Sequence, residues 1–317
     1  MKSITNTRIP ALLAGLLICS ATLRAQTDDD AIMMAKKNLC TGFMYSHSSW
    51  NYYWEGTYHR NNPNLGTVTT QMAGLMAIYG ITPRLNVIAN VPYVWTDASA
   101  GVLHAMHGIQ DLSAWLKWEA LRLPVGEGKL KVFAAGGAST PLTAYLADYL
   151  PLSIGLRSRT LSGRVIVDYQ LGHFFATATG TYTWRSNITI DEQSYYTTSF
   201  HETNQVQMPD MTSFVYRAGY RGRAWDIQAV FSGMVTIGGF DIRRNDMLFP
   251  SNRMNAAMAG AHVKYEFPSG RLKGLSFTAD GSYTVAGRNV GQSTMLGGGI
   301  FYTFDFSRHL STTSKSN

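Results

Sequence analysis

Apolar and polar residues alternate along most of this chain. From residue 84 to residue 95, every second position is apolar, and Arg84, Asn86 and Asn90 lie between them. Successive side chains of a β-strand point to opposite faces, so this pattern predicts a strand with one apolar and one polar face. The same alternation recurs at residues 109–121, 161–171, 174–185, 225–237 and 275–285.

Weaker alternation fills the gaps between these segments, and the total is about twelve strands. Each is about 10 residues long, which is enough to cross a bilayer when the strand is tilted. Short spacers alternate with long ones, as in outer-membrane barrels. We therefore predict an all-β fold, a single transmembrane antiparallel up-and-down β-barrel of about 12 strands. The weaker segments are 40–49, 66–80, 129–138, 211–221, 255–267 and 294–306, and the long spacers are 50–65, 96–108, 139–157, 186–210 and 238–253.

Aromatic residues gather near the ends of the predicted strands. Tyr93 and Trp95 end one strand, and Tyr182 and Trp184 end another. Aromatic rings collect at the boundary between water and lipid, so this placement supports a barrel in a membrane. A soluble β-barrel or sandwich in the periplasm stays open as an alternative, with its apolar faces turned inward.

Composition narrows the class of protein. Only 15% of the 317 residues are charged and 12% are aromatic, which excludes a disordered chain. After the first 25 residues there is no run of 18 apolar residues, which excludes a protein that crosses the membrane with helices. The net charge of +7 is spread without a basic run, so no nucleic-acid partner is expected.

The first 25 residues are typical of a secretory signal peptide. Lys2 and Arg8 precede the apolar stretch 11–23, and Ala25 offers a small residue for cleavage. We expect export through the secretory pathway to the outer membrane of a Gram-negative bacterium. The predicted division is a signal peptide at 1–25, a short periplasmic segment at 26–38, the barrel at 39–306 and a tail at 307–317. Whether residues 27–38 enter the lumen is left open.

A short motif resembles a known family. The run Gly108-Ile109-Gln110-Asp111-Leu112, followed by Lys117-Trp118, is similar to a strand of the outer-membrane transporters of the MetA-pathway of phenol degradation type, with Gln110 in place of a second Gly. The stretch Trp50–Gly66 is similar to Bacteroidetes-like members of that group, through the runs Tyr53-Trp54-Glu55-Gly56-Thr57 and Asn64-Leu65-Gly66-Thr67. The motifs cover about thirty residues. The resemblance implies a barrel that admits aromatic or other apolar solutes.

The polar faces of the predicted strands carry charges of both signs. These groups either pair across strands and fill the lumen or form a polar conduit whose charges select what passes. Asp111, Lys117 and Glu119 are the strongest candidates, because they share one face of one strand. The predicted pore-lining residues are Asp111, Lys117, Glu119, Arg164, Asp168, Arg185 and Arg217.

An aromatic segment follows the first strand. Trp50, Tyr53 and Trp54 could form a capture site for apolar solutes at the outer mouth, or they could pack as part of the interfacial girdle. Both interpretations stay open at this point.

Little in the sequence points to catalysis. His47 and Ser49 share a face of one strand, and Asn51 lies on that face too, which resembles part of an outer-membrane phospholipase pattern. His104 and His107 lack companions at metal-ligand spacing. We expect no catalytic residues, no metal site and no cofactor.

The favoured function is therefore a channel or transporter for small molecules with no chemical step, and so not an enzyme. The alternatives are a phospholipase-like esterase and a structural barrel that binds a surface partner. The final strand has an aromatic end, as recognised by barrel assembly machinery. The expected partners are that machinery, outer-membrane lipids and a small-molecule solute.

Overall fold

The protein folds into twelve long strands. The computed structural model describes residues 27, 29–244 and 246–307, so the predicted signal peptide and nearly all of the predicted tail lie outside the described residues. We number the long strands in chain order: β1 (Asn38–Trp50), β2 (Val68–Thr82), β3 (Leu85–Ala98), β4 (Asp111–Val125), β5 (Gly128–Pro141), β6 (Thr160–Leu171), β7 (Phe174–Arg185), β8 (Asp210–Arg221), β9 (Trp225–Ile237), β10 (Asn255–Glu266), β11 (Leu275–Arg288) and β12 (Thr294–Asp305).

The strands close into one barrel. Each pairs antiparallel with the next along the chain, and β12 returns to pair with β1, so no edge is left open. One short extra strand, Met106–Ile109, extends the sheet beside β3. The predicted antiparallel up-and-down barrel of about twelve strands is confirmed. None of the described residues belongs to a helix long and apolar enough to span a membrane.

The two ends of the barrel differ in their connections. At the short-turn end, the strands are joined at 83–84, 126–127, 172–173, 222–224 and 267–274. At the long-loop end, the loops are 51–67, 99–110, 142–159, 186–209, 238–254 and 289–293. Two of these loops carry small hairpins. Tyr52–Glu55 pairs with Tyr58–Asn61 in the loop 51–67, and the loop 186–209 holds the pairs Ile188–Thr189 with Gln205–Val206 and Tyr195–Tyr196 with Phe200–His201.

The apolar faces of the strands point outward and the polar faces point inward, as in a membrane barrel. Leu75, Leu161 and Leu296 are each more than 60% exposed on the outside of the wall. By contrast, Lys117 and Asp168 are fully buried inside. A soluble barrel would bury the leucines and expose the charges, so the periplasmic alternative does not fit this fold.

The segment before β1 lies inside the barrel. Asp30, Ala31 and Met34 are buried, and their contacts are with inward side chains of the wall. The described residues of the predicted segment 26–38 therefore enter the lumen, a point that the sequence left open. The physical reason is charge: the wall offers buried cations that the acidic residues of this segment neutralise.

Candidate functional site

The lumen is occupied by residues 27 and 29–37, which we call the plug. Its main anchor is Lys117 on β4, whose Nζ donates hydrogen bonds to the backbone oxygens of Thr27 and Asp30 at 2.8 and 3.0 Å. The same Nζ lies 2.9 Å from the Asp30 carboxylate. An ammonium has three N–H donors, so these contacts use its full capacity. Lys117 therefore holds the plug rather than facing an open pore.

A second ion pair holds the tip of the plug. The Arg217 guanidinium on β8 donates to the backbone oxygen of Asp29 and, at 2.8 Å, to its carboxylate. Burial alone would raise the pKa of Asp29, but Arg217, with Arg164 nearby, holds that pKa well below its usual range. Arg164 itself stacks on Trp115, with its guanidinium carbon 4.1 Å from the ring centroid. Two of the three predicted arginines, Arg164 and Arg217, thus lie beside the plug.

Apolar packing completes the contact between plug and wall. Ala31 and Met33 pack with Phe133 and Ile166. Met34 packs in a second cluster that includes Cys40 on β1. These contacts remove apolar surface from water, so the plug is held by burial as well as by charge.

One glycine allows the plug to lie against the wall. A Cβ atom at Gly80 on β2 would overlap the carbonyl of Ala35. Beside it, the Lys37 amide donates to the Gly80 oxygen at 2.8 Å. The close approach requires a residue without a side chain at this position.

Two other predicted lumen residues, Glu119 and Asp168, are buried and form ion pairs away from the plug. Glu119 is 1% exposed and accepts two hydrogen bonds from Arg122 at 2.5 and 2.7 Å. A bulge after Glu119 in the pairing with β5 brings these two residues to one face. Asp168 accepts a hydrogen bond from Thr177 at 2.8 Å and pairs with Arg221 at 3.4 Å. Both pairs lie toward the short-turn end.

The last two predicted residues lie at the long-loop end. Asp111 begins β4 and accepts a 2.6 Å hydrogen bond from Tyr145 in the loop 142–159. Burial and this bond to Asp111 raise the pKa of the Tyr145 hydroxyl. Arg185 ends β7, where its guanidinium contacts the sulfur of Met211 at 3.2 Å. Asp111 and Arg185 therefore belong to the mouth rather than to the middle of the lumen.

The aromatic segment after β1 is packed into the loops. The rings of Trp50 and Tyr53 lie 6.1 Å apart, and Trp54 lies 4.9 Å from the ring of His59. Cβ atoms at Gly291 and Gly287 would overlap the Trp50 and Trp54 rings, respectively, so both tryptophans rest on the backbone of neighbouring segments. Packing explains these contacts without a solute.

The residues considered for catalysis do not assemble. His47 is exposed on the same outer face of β1 as Phe43 and Tyr45. Within the described ranges, no hydrogen bond joins His47 to Ser49 or Asn51, so nothing in this arrangement favours the esterase alternative. The described residues also contain no group of three or more His, Cys, Asp or Glu side chains placed to hold a metal ion.

The sequence prediction missed three residues that shape this site. Asp29 and Asp30 pair with the wall, and Trp115 faces the lumen beside Arg164. The available signal for the first two was an acidic run before the first strand, together with four cations and three anions among the predicted pore-lining residues. Trp115 stands on the polar face of its strand, where the alternation predicts no large ring.

Comparisons with known proteins support the fold. No protein-family model and no curated protein sequence matches the chain. The COG4313 outer membrane channel from Pseudomonas putida F1 is similar in structure, with a TM-score of 0.68 at 15% identity over 89% of this chain and 100% of that one. This likeness shows a shared fold.

Two further structures match less closely. One is OccD3 (OpdP) from Pseudomonas aeruginosa, with a TM-score of 0.37 at 10% identity over 88% of this chain and 94% of that one. The other is the translocator domain of autotransporter NalP from Neisseria meningitidis, with a TM-score of 0.40 at 11% identity over 85% of this chain and 88% of that one. At these TM-scores they carry no argument.

Proposed function

We propose that this protein is an outer-membrane channel that passes small molecules through its lumen without a chemical step. The observation that carries the proposal is the plug, a segment held by the ion pairs of Lys117 and Arg217 inside a closed barrel with an apolar outer wall. Removing two charges from water is costly, and a buried ion pair adds little net stability over apolar packing. A barrel that stays filled and has only a structural role would not need buried ion pairs between plug and wall. A barrel whose lumen opens to water would need them, because their charges are solvated when the plug leaves.

The shared fold supports this proposal. A protein with the same barrel over nearly the whole chain is described as an outer membrane channel. The apolar wall would contact outer-membrane lipids, and the aromatic end of β12 would engage the barrel assembly machinery during insertion. Location and partners are parts of the same proposal.

We further propose aromatic or other apolar molecules as the solutes. The motif at residues 108–118, which resembles the MetA-pathway type of transporter, supports this class. Met44, Met258, Met295 and Phe301 also face the space that the plug leaves open. These side chains offer flexible apolar contacts to a ring.

The test is single-channel conductance of the mature protein after refolding, together with uptake of an aromatic solute by proteoliposomes. Aromatic uptake with little conductance is the expected result, because the docked plug occupies most of the lumen. Conductance without aromatic uptake would overturn the solute class and indicate small polar solutes. If a barrel whose electrophoretic mobility changes on heating, and which is therefore folded, shows neither conductance nor uptake, the channel proposal is overturned.

A further inference from the structure

The plug does not fill the whole lumen. A cavity of about 350 Å³ remains beside it, between the plug and the strands β8 to β12 and β1. This volume holds roughly a dozen non-hydrogen atoms if each occupies about as much space as a liquid water molecule. The apolar part of its wall is made by Val230, Met44, Met258, Met295 and Phe301.

The polar part of the wall is one row across three strands. Gln228 on β9 lies opposite His262 on β10, which lies opposite Asp280 on β11. Neighbouring strands are about 4.8 Å apart, so the row spans about 10 Å. Asp280 faces Gly297 on β12, where a Cβ atom would come within 2.8 Å of the carboxylate. The missing side chain at Gly297 leaves room for the Asp280 carboxylate at the cavity wall.

Most charges around the cavity are already neutralised. Four of the charged residues that line it form ion pairs. The pairs are Asp30 with Lys117, Arg217 with Asp29, Asp226 with Arg221, and Lys264 with Glu266. Asp280 forms no ion pair and no hydrogen bond with the described part of the chain. The excess charge at the cavity is therefore negative.

A second acceptor in the row also lacks a donor. Gln228 is 6% exposed, and its Nε2 donates to the Asp226 carboxylate at 2.9 Å. This bond fixes the orientation of the amide, and its Oε1 accepts no hydrogen bond from the described residues. A buried acceptor without a donor costs free energy, so the row favours a ligand that brings N–H or O–H groups.

We propose that this cavity binds a small organic cation, a primary ammonium attached to a short apolar or aromatic body. The ammonium would donate to the Asp280 carboxylate, and the body would lie on the methionines and Phe301. A carboxylate ligand would face the excess negative charge, and an alcohol would leave that charge unpaired. The inference rests on the proposed function only in treating the cavity as a stopping point for solutes in transit.

The test compares three ligands of similar size and different charge. The mature full chain, refolded into phospholipid nanodiscs, is titrated by calorimetry with 2-phenylethylamine, 2-phenylethanol and 3-phenylpropanoate. We expect the amine to bind at least 10-fold more tightly than the alcohol and the carboxylate to show no saturable binding. Equal affinities for amine and alcohol, or no saturable binding of the amine, would overturn the proposal.

Variants identify the site. Asp280→Asn keeps the shape of the side chain and is expected to weaken amine binding at least 10-fold. Asp97→Asn removes an exposed carboxylate at the end of β3 and serves as the matched control, with unchanged affinity expected. Unchanged amine binding in Asp280→Asn refutes the site. Amine binding without any solute flux would refute the channel alone, and flux without amine binding would refute only this inference.

Discussion

The Lys117 ammonium lies 2.9 Å from the Asp30 carboxylate, and the two residues are 87 positions apart in the sequence. This pair joins the middle of the barrel wall to a segment that precedes the first strand. Because Lys117 has no solvent exposure, its charge is unavailable to a passing solute while the plug is in place. In the proposed channel, permeation therefore depends first on whether the plug stays docked.

Substitution of Lys117 by Met is expected to release the plug. The change leaves Asp30 buried without its cation, and breaking a buried pair in this way costs about 3–5 kcal/mol. Single-channel conductance should rise from near zero to a stable open level. Glu119→Gln is the control, because the partner of Glu119 is Arg122, which is 51% exposed and does not touch the plug. Equal conductance in both variants would contradict the role of Lys117.

Substitution of Gly80 by Ala should displace the plug by steric overlap alone. The added methyl group would meet the Ala35 carbonyl, which cannot move without shifting the backbone of the plug. Gly136→Ala is the matched control, since a Cβ atom there meets nothing within 4 Å. We expect increased conductance only for Gly80→Ala. An open channel in the Gly136 variant would indicate a general loss of barrel stability instead.

Cys40 provides a direct reporter of plug docking. It is fully buried in the cluster that contains Met34. Met34→Ala removes that packing, at a cost of about 2–5 kcal/mol for such a truncation, and should increase the rate of Cys40 alkylation by maleimide. The rate is measured by mass shift in the folded barrel. A rate equal to that of the wild type would show that Met34 does not cover the thiol.

The docked plug should resist mild acid. The folded pKa of Asp29 lies below its ordinary value of 3.8, since Arg217 outweighs the effect of burial. The ion pair therefore contributes fully at neutral pH and is lost only as the pH falls below about 4, where a released Asp29 takes up a proton. Conductance should stay flat from about pH 7 to about pH 5 and rise only below about pH 4. A rise that begins above about pH 6 would assign the control to another group.

Asn289 is expected to organise the loops at the long-loop end. Its side chain accepts hydrogen bonds from the Gly56 and Ile242 amides and donates to the Asp241 carboxylate and the Arg253 oxygen. Asn289→Ala leaves buried amides without acceptors, at about 1–3 kcal/mol each. Proteolysis within the loops should become faster while the barrel stays folded.

A glycine variant separates the hydrogen bonds of the Asn289 side chain from the backbone conformation at this position. Its backbone has a φ of 53°, which glycine adopts without strain. Asn289→Gly keeps this backbone and loses the hydrogen bonds, so it should be cleaved as fast as Asn289→Ala or slightly more slowly. Cleavage at the wild-type rate would show that the hydrogen bonds do not hold the loops.

Much of the barrel could be predicted from the sequence, because the direction of each side chain in a strand follows from its position along that strand. The strand at 225–237 and the strand at 174–185 were predicted with their observed bounds, since alternation fixes which residues face lipid. The plug could not be placed in this way. Residues 29–34 show no periodicity, and their partners Lys117 and Arg217 are brought near them only when the barrel closes. The mouth residues Asp111 and Arg185 share the polar face but lie near the loops, which alternation alone does not reveal.

The plug runs directly into β1 at Asn38, so it behaves as a ligand that is permanently tied to its own receptor. A short tether of this kind gives a local concentration in the millimolar range. In the proposed channel, a released plug would therefore compete with every solute that enters the lumen, and it would return when that solute leaves. Only solutes that bind the lumen tightly enough to match this internal competitor would keep the barrel open.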